Sequence, residues 1–149
     1  MEYVRSINVA GPIDQVAALY VDTALWPEWQ PELLSVEVLE GAPPATGGRS
    51  RLTYRRGRGT MVMTESIALS ELPGTWNAVY EAPGIHNICD TRFVEVDART
   101  TLIEQRNVFL LSGMMRIVGV LFRNAFPHET QKSLRIYKGF VEKRLGTTP

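Results

Sequence analysis

The final third of the chain, from Gly113 to Leu145, constrains the fold more than any other stretch. Its apolar residues recur every three or four positions, which is the spacing of one face of an α-helix. A straight helix of these 33 residues would be about 50 Å long, whereas a globule of 149 residues is only roughly 38 Å across. The helix must therefore bend or break. We predict the break at Pro127, because proline lacks a backbone donor and its ring clashes with the preceding turn.

The residues before this helix predict the sheet that it covers. Residues 2 to 9 alternate between polar and apolar and indicate a strand, and one or two short helices follow Pro12. Six further strands with turn signals at hairpin spacing extend to Leu111. The predicted fold is α+β: a curved antiparallel sheet of about seven strands wrapped around a long C-terminal helix kinked near Pro127. We expect residues 1 to 149 to form a single domain.

Two of the hairpins have turns that predict their register. Gly57-Arg58 has the glycine-first pattern of a two-residue turn, and Pro73-Gly74 is typical of a type II turn. Both registers keep apolar side chains together on one face. The predicted pairs are Leu52 with Met63, Tyr54 with Met61, Leu69 with Ala78, and Ile67 with Tyr80.

The last hairpin carries the most distinctive polar residues of the chain. A four-residue turn from Asp97 to Thr100 would pair Arg92 with Gln105 and Asp90 with Asn107. On the inner face, these groups could orient a carbonyl or hydroxyl of a ligand, with His86 as a general acid or base. A turn of three or five residues would instead flip the face and expose the set. The predicted inner-face polar set is His86, Asp90, Arg92, Gln105 and Asn107.

Composition excludes several classes of function. Acidic and basic residues balance at 16 each, and the register above makes the arginines of residues 49 to 58 a solvated hairpin, so no nucleic-acid partner is predicted. A single cysteine, Cys89, excludes an intrachain disulfide and any CxxC site. His86 and His128 lack metal-ligand spacing, and no nucleotide or catalytic signature motif occurs, so we predict neither a metal nor a cofactor.

The sequence also carries expectations about location. Its first residues lack the apolar core of a signal peptide, and no uncharged apolar run reaches the length of a membrane span. We therefore expect a cytoplasmic protein. Nothing in the sequence indicates an oligomeric state.

The element order, the connector Trp26-Pro27-x-Trp29 and the closing segment from Phe126 to Glu142 resemble the START-like superfamily, also called SRPBCC. This group includes the polyketide cyclase/dehydrase and coenzyme-Q-binding families. The stretch from Tyr80 to Gly113 is similar to a bacterial branch without a settled activity. The resemblance implies a helix-grip fold, with a hydrophobic small molecule held between the sheet and the C-terminal helix.

Three functional hypotheses follow. The first is binding of a lipid-, polyketide- or quinone-like molecule in such a cavity, although the aromatic and methionine residues suit an ordinary core as well. The second is a polyketide cyclase or dehydratase that uses His86, Asp90 and Arg92 as acid-base groups. The third is a protein-interaction module with a filled core. The candidate ligand-binding residues are Trp29, Tyr54, Met63, Trp76, Tyr80, His86, Asp90, Arg92, Gln105, Asn107, Phe109, Met114, Val118, Leu121 and Phe122.

Overall fold

Seven antiparallel strands form one open sheet, as expected. The structure is a computed structural model that describes residues 1–147; Thr148 and Pro149 lie outside the described residues. The strands are β1 (Glu2–Ala10), β2 (Leu33–Glu40), β3 (Arg49–Arg56), β4 (Gly59–Glu71), β5 (Thr75–Ala82), β6 (Ile85–Asp97) and β7 (Thr100–Leu111). Their order across the sheet is β1-β7-β6-β5-β4-β3-β2, so every pair except β1–β7 joins strands that are consecutive in the chain.

The helices follow β1 and β7. Two short helices and a 3-10 turn over Thr23–Leu25 connect β1 to β2. Two more helices follow β7, and the second of these lies against β1. No helix among the described residues is both long enough and apolar enough to cross a bilayer. The helices are α1 (Ile13–Val21), α2 (Trp26–Trp29), α3 (Met114–Leu121) and α4 (Ala125–Leu145).

The C-terminal segment does break, but the predicted position of the break is wrong. It falls between Leu121 and Ala125, and Pro127 lies in the first turn of α4. A proline is tolerated there because the amide that it lacks would have no helical acceptor. The segment is therefore two helices, of which α4 is the long one.

α4 is held to the sheet by packing and by one buried carboxylate. Leu134, Tyr137 and Val141 recur at helical spacing and are fully or almost fully buried. The Glu142 carboxylate accepts hydrogen bonds from the Ala10 backbone amide (2.9 Å) and from Lys138 Nζ (2.6 Å). These contacts fix the C-terminal half of α4 at the end of β1.

Of the two registers predicted from turn signals at Gly57-Arg58 and Pro73-Gly74, one is confirmed and the other is wrong. At Gly57-Arg58 the prediction is confirmed, since Leu52 pairs with Met63 and Tyr54 with Met61. At Pro73-Gly74 the prediction is wrong: Leu69 lies opposite Asn77, one residue from its predicted partner, and a bulge between Ile67 and Leu69 adds a second residue of shift, so that Ile67 lies opposite Ala78. The partner of Tyr80 is consequently Glu65.

In the last hairpin, formed by β6 and β7, the predicted register is wrong by one residue. Its tip is as predicted, with Asp97 opposite Thr100, but a bulge between Glu95 and Asp97 shifts the rest of β6. Asp90 therefore lies opposite Arg106 and Arg92 opposite Glu104. A slip of one residue moves every side chain of the strand to the other face. His86, Asp90 and Arg92 are on the outer face, whereas Gln105, Asn107 and Phe109 of β7 remain on the inner face.

Candidate functional site

A cavity of about 670 Å³ lies between the inner face of the sheet and helices α3 and α4. This volume contradicts the hypothesis of a filled core. Aromatic and aliphatic side chains dominate the lining, and they come from six strands and all four helices. The lining residues are Tyr3, Tyr20, Trp26, Trp29, Gln30, Tyr54, Arg56, Met61, Met63, Glu65, Trp76, Tyr80, Ile85, Asn87, Cys89, Gln105, Phe109, Met115, Val118, Phe122, Ala125, Phe126, Glu129, Thr130, Ser133, Leu134 and Tyr137.

Tyr20 of α1 is the centre of the aromatic cluster at the closed side of the cavity. Its ring lies 5.0 Å from Tyr137, 5.4 Å from Trp29 and 5.5 Å from Phe93, measured between centroids. Tilted and edge-to-face pairs at this spacing are favourable. The Trp26 indole donates to the Tyr20 backbone carbonyl (2.8 Å), which fixes the connector against α1. This part of the wall is therefore rigid.

The carboxyl group of Glu65 is buried in this apolar surface. The residue is 1% exposed, and Oε2 has no hydrogen-bond partner in the described part of the protein. Burial raises the pKa of Glu65 to about 7, and interaction with the Tyr80 hydroxyl opposes that rise. No cation pairs with it in the described residues. Near neutral pH, Glu65 is therefore present both as a neutral acid and as a carboxylate.

Other polar atoms in the cavity wall also have no partner in the described residues. They include the indole nitrogen of Trp29 and Oδ1 of Asn87. Asn87 Nδ2 does donate to Asn107 Oδ1 (3.2 Å), which leaves Asn107 Nδ2 unbonded. Buried polar groups are normally hydrogen-bonded. These atoms are thus buried donors and acceptors without a partner in the described residues.

The buried glutamine, tyrosine and cysteine side chains of the wall are neutral at physiological pH. Gln105 Nε2 donates to the Tyr20 hydroxyl and to Thr91 Oγ1. Burial raises the pKa values of Tyr20, Tyr54 and Tyr80, so these phenols stay protonated. Burial also raises the pKa of the Cys89 thiol to about 12, and a thiol of this kind is a poor nucleophile.

The mouth of the cavity is marked by those lining residues that are exposed to solvent. They come from the end of β3 and from the α3–α4 region, so the opening lies between the β3–β4 hairpin and these helices. A second depression of about 550 Å³, near Gly11 and Leu145, contains none of the unbonded polar atoms described above. The exposed lining residues are Arg56, Phe122, Ala125, Glu129 and Ser133.

The structure brings most of the predicted ligand-binding residues to the cavity. Asn107 is buried behind the wall and bonded to Asn87. Met114 and Leu121 are exposed on the far side of α3, and their predicted position in the cavity is wrong; their neighbour Met115 lines it instead. The predicted residues in the lining are Trp29, Tyr54, Met63, Trp76, Tyr80, Gln105, Phe109, Val118 and Phe122.

The predicted acid-base group is outside the cavity. His86, Asp90 and Arg92 project from the outer face of β6, for the register reason given above. Asp90 and Arg92 have oppositely charged neighbours there, at 3.2 Å from Arg106 and 3.5 Å from Glu104, and His86 Nδ1 lies 3.7 Å from the Glu81 carboxylate. Exposed pairs of this kind contribute little to stability. Within residues 1–147 no cluster of three metal-ligating side chains occurs.

Sequence reasoning missed several lining residues, above all Glu65. The position of Glu65 could have been predicted from the sequence. The confirmed register of Met61 and Met63 requires the side chain two residues further along β4 to share their face. Tyr20 and Met115 belong to predicted helices, but their direction depends on how each helix packs. Asn87 and Cys89 were missed because the bulge in β6 exchanges the two faces.

The fold occurs in solved structures of other proteins. Ara h 8.0201 matches with a TM-score of 0.77 at 14% identity, over 96% of this chain and 98% of its own. The Zhui aromatase/cyclase from Streptomyces sp. R1128 matches with a TM-score of 0.71 at 20% identity, over 97% of this chain and 95% of its own. StfQ, a di-domain ARO/CYC from the steffimycin biosynthetic pathway, matches with a TM-score of 0.78 at 14% identity, over 97% of this chain and 51% of its own.

No protein-family model matches the chain, and no curated protein matches it either. At identities of 20% and below, the structural matches concern the fold. The resemblance predicted from the sequence is confirmed at that level. The chain therefore has the Bet v1-like helix-grip fold.

Proposed function

We propose that this protein binds a hydrophobic small molecule in the cavity beneath α3 and α4. The observation that carries the proposal is the cavity itself, whose volume of about 670 Å³ is within the roughly 300–1,000 Å³ typical of ligand pockets. Its wall is mostly aromatic and aliphatic, with a few polar atoms at defined positions. Lipid-, polyketide- and quinone-like molecules have this combination of a large apolar body and a few oxygen atoms.

Apolar burial would provide most of the affinity. A ligand that removes about 300 Å² of apolar surface from water gains roughly 7 kcal/mol at 25 cal/mol per Å², before the cost of association is subtracted. The unbonded atoms of Glu65, Trp29 and Asn87 would orient the polar end of the ligand. Discrimination among ligands would then come from these few hydrogen bonds, because a site that leaves them unmade has buried polar groups without partners.

The test is uptake of a fluorescent apolar probe, 1-anilinonaphthalene-8-sulfonate, by the purified protein. Val118→Trp should fill the cavity from its α3 side. The probe could then bury less apolar surface, so its binding should weaken by about tenfold or more. Val120→Trp is the matched control, because the same substitution two residues later adds its ring on the exposed face of α3. Equal affinity of the two variants would refute the proposal.

Identification of the ligand requires a second experiment. The protein is purified from its host under native conditions, denatured, and extracted into organic solvent for mass spectrometry. We expect one or a few apolar compounds that are absent from an extract of the Val118→Trp protein. Recovery of the same compounds from both proteins would count against the cavity as their site.

A second candidate function is proton-transfer catalysis on a polyketide-like substrate. Glu65 favours it, because a carboxyl group with a pKa near 7 in an apolar cavity is suited to general acid-base catalysis at neutral pH. The Zhui and StfQ structures named above carry the names aromatase/cyclase and ARO/CYC. In this second candidate function, the acid-base group is Glu65 and no longer the predicted set of His86, Asp90 and Arg92.

Glu65→Gln separates binding from catalysis. A binding protein should retain uptake of the apolar probe, whereas an enzyme should lose the cyclisation of a poly-β-ketone substrate while still binding it. Cyclised products are followed by chromatography and mass spectrometry. The expectations of a cytoplasmic location, of no nucleic-acid partner and of no cofactor stay predictions.

A further inference from the structure

One face of α3 presents apolar side chains to solvent. Met114, Ile117 and Val120 are 76%, 55% and 78% exposed, and Leu121 extends the same surface. We call these four residues the α3 apolar face. The opposite side of the helix carries Met115 and the other residues that line the cavity. Contiguous exposed apolar surface of this kind is uncommon on monomeric proteins and marks an interaction site.

The α3 apolar face lies beside the mouth of the cavity. The turns of the β3–β4 and β5–β6 hairpins and the end of β7 are at the same end of the sheet, because consecutive strands are antiparallel. α3 begins there, after Gly113. The cavity is lined by Arg56 and Met61 of the β3–β4 hairpin and by Val118 of α3. A surface that covered α3 would therefore also face the entrance.

The charged side chains of residues 113–124 and 55–60 are all arginines. Five exposed arginines lie on α3, on the turn after it and on the β3–β4 hairpin, and none of them forms an ion pair with a carboxylate of residues 1–147. Residues 113–124 and 55–60 contain neither aspartate nor glutamate. We call this group the cationic rim. It consists of Arg55, Arg56, Arg58, Arg116 and Arg123.

We propose that the α3 apolar face and the cationic rim dock onto the surface of an anionic lipid bilayer. An apolar helix face flanked by arginines matches the two layers of such a surface, with the side chains inserted among acyl chains and the guanidinium groups at the phosphates. Docking in this way would bring the cavity mouth close to the membrane. The near-zero net charge of the whole chain does not oppose docking, because attraction depends on charges within about a Debye length of the surface.

A second copy of the chain fits this face less well. In a two-fold dimer centred on α3, the arginines at positions 116 and 123 of both copies would meet around a small apolar patch, and neither residues 113–124 nor residues 55–60 carry a carboxylate to pair with them. Like charges brought together across an interface are costly. An anionic bilayer instead supplies a partner for every arginine of the rim.

The test is co-sedimentation of the full-length protein with vesicles. We expect binding to vesicles of phosphatidylcholine mixed with phosphatidylglycerol, and much weaker binding to phosphatidylcholine alone. Arg116→Glu and Arg123→Glu should each weaken binding by about fivefold or more, the effect of one basic residue near an anionic surface. The double variant Ile117→Asp/Val120→Asp should weaken it by about tenfold or more. Added salt should reduce binding to the anionic vesicles.

Matched controls are available at the opposite end of the sheet. Val96→Asp changes a valine that is 56% exposed, and Arg99→Glu reverses an exposed arginine in the β6–β7 turn; both variants should bind the vesicles as the unaltered protein does. The far-ultraviolet circular dichroism spectrum of every variant, measured without vesicles, should match that of the unaltered protein, and this shows that each is folded. The outcome is thus independent of the function proposed for the cavity.

Three results would overturn the proposal. One is absence of binding to the anionic vesicles. Another is equal loss of binding in the α3 variants and in the controls. The third is a dimer, detected by sedimentation velocity, that Ile117→Asp/Val120→Asp dissociates, because this would assign the face to a second copy of the chain.

Discussion

Replacement of Glu65 by glutamine is expected to remove a pH dependence from the stability of this protein. Burial raises the pKa of Glu65 from 4.5 to about 7 in the folded state. Between these two values the folded protein keeps its proton while the unfolded chain has lost it. The folded state then binds more protons, so Glu65 makes the free energy of unfolding fall as pH rises through this range, and its effect levels off about one pH unit above the folded-state pKa.

The pKa difference sets the size of this effect. At 1.36 kcal/mol per pKa unit, a rise from 4.5 to about 7 corresponds to about 3 kcal/mol of stability lost between acidic and neutral pH. Glutamine has nearly the same shape and does not ionise, so Glu65→Gln should lose none of this stability. For a chain of this length, the gap is equivalent to roughly 6–12 °C in the midpoint of thermal unfolding.

The measurement is urea denaturation of both proteins at a series of pH values from 4.5 to 8. Subtraction of one curve from the other removes the contributions of the carboxylates that the two proteins share. Glu71→Gln, at an exposed position of the same strand, controls for the removal of one carboxylate. The reasoning is refuted if the difference between the two proteins is constant across the range, or if the unaltered protein gains stability relative to the variant as pH rises.

Three further outcomes are expected. Tyr137→Phe should lower the free energy of unfolding by about 1–3 kcal/mol, because the phenol hydroxyl donates to the buried carbonyl of Val16; an unchanged urea midpoint would contradict this. Arg92→Ala should change the free energy of unfolding by less than about 0.5 kcal/mol and leave probe uptake unaltered; a loss of uptake would indicate that the outer face of β6 takes part in binding. In hydrogen exchange followed by mass spectrometry, the amides of α3 should exchange faster than those of residues 130–145, because Gly119 is the one buried residue of α3; equal protection of the two helices would argue otherwise.

Local patterns were sufficient to predict much of this architecture. Alternating residues indicated the strands, Gly57-Arg58 predicted the register of its hairpin, and the spacing of Leu134, Tyr137 and Val141 predicted the buried face of α4. These predictions succeed because strand alternation, turn conformation and helical periodicity depend on residues close together in the chain. The same information would have been enough to put Glu65 on the inner face.

The location of the break before α4 needed three-dimensional context. Pro127 was the natural candidate, yet a proline disrupts a helix only where its amide would have had an acceptor. In the first turn of α4 the position of Pro127 has no such acceptor, so proline does not disrupt the helix there. The break lies three to five residues earlier, after the end of α3, which packs against β7.

The sequence by itself determined the order of the elements, the apolar face of α4 and the presence of enough aromatic side chains to line a cavity. The tertiary structure alone decided which face of β6 is inward, because the bulge between Glu95 and Asp97 inserts one residue into the ladder without a local signal. That one residue sends His86, Asp90 and Arg92 to solvent and turns Asn87 and Cys89 inward. Whether the space under α4 stays open is likewise a property of the packed molecule, since it depends on how far every helix is held from the sheet.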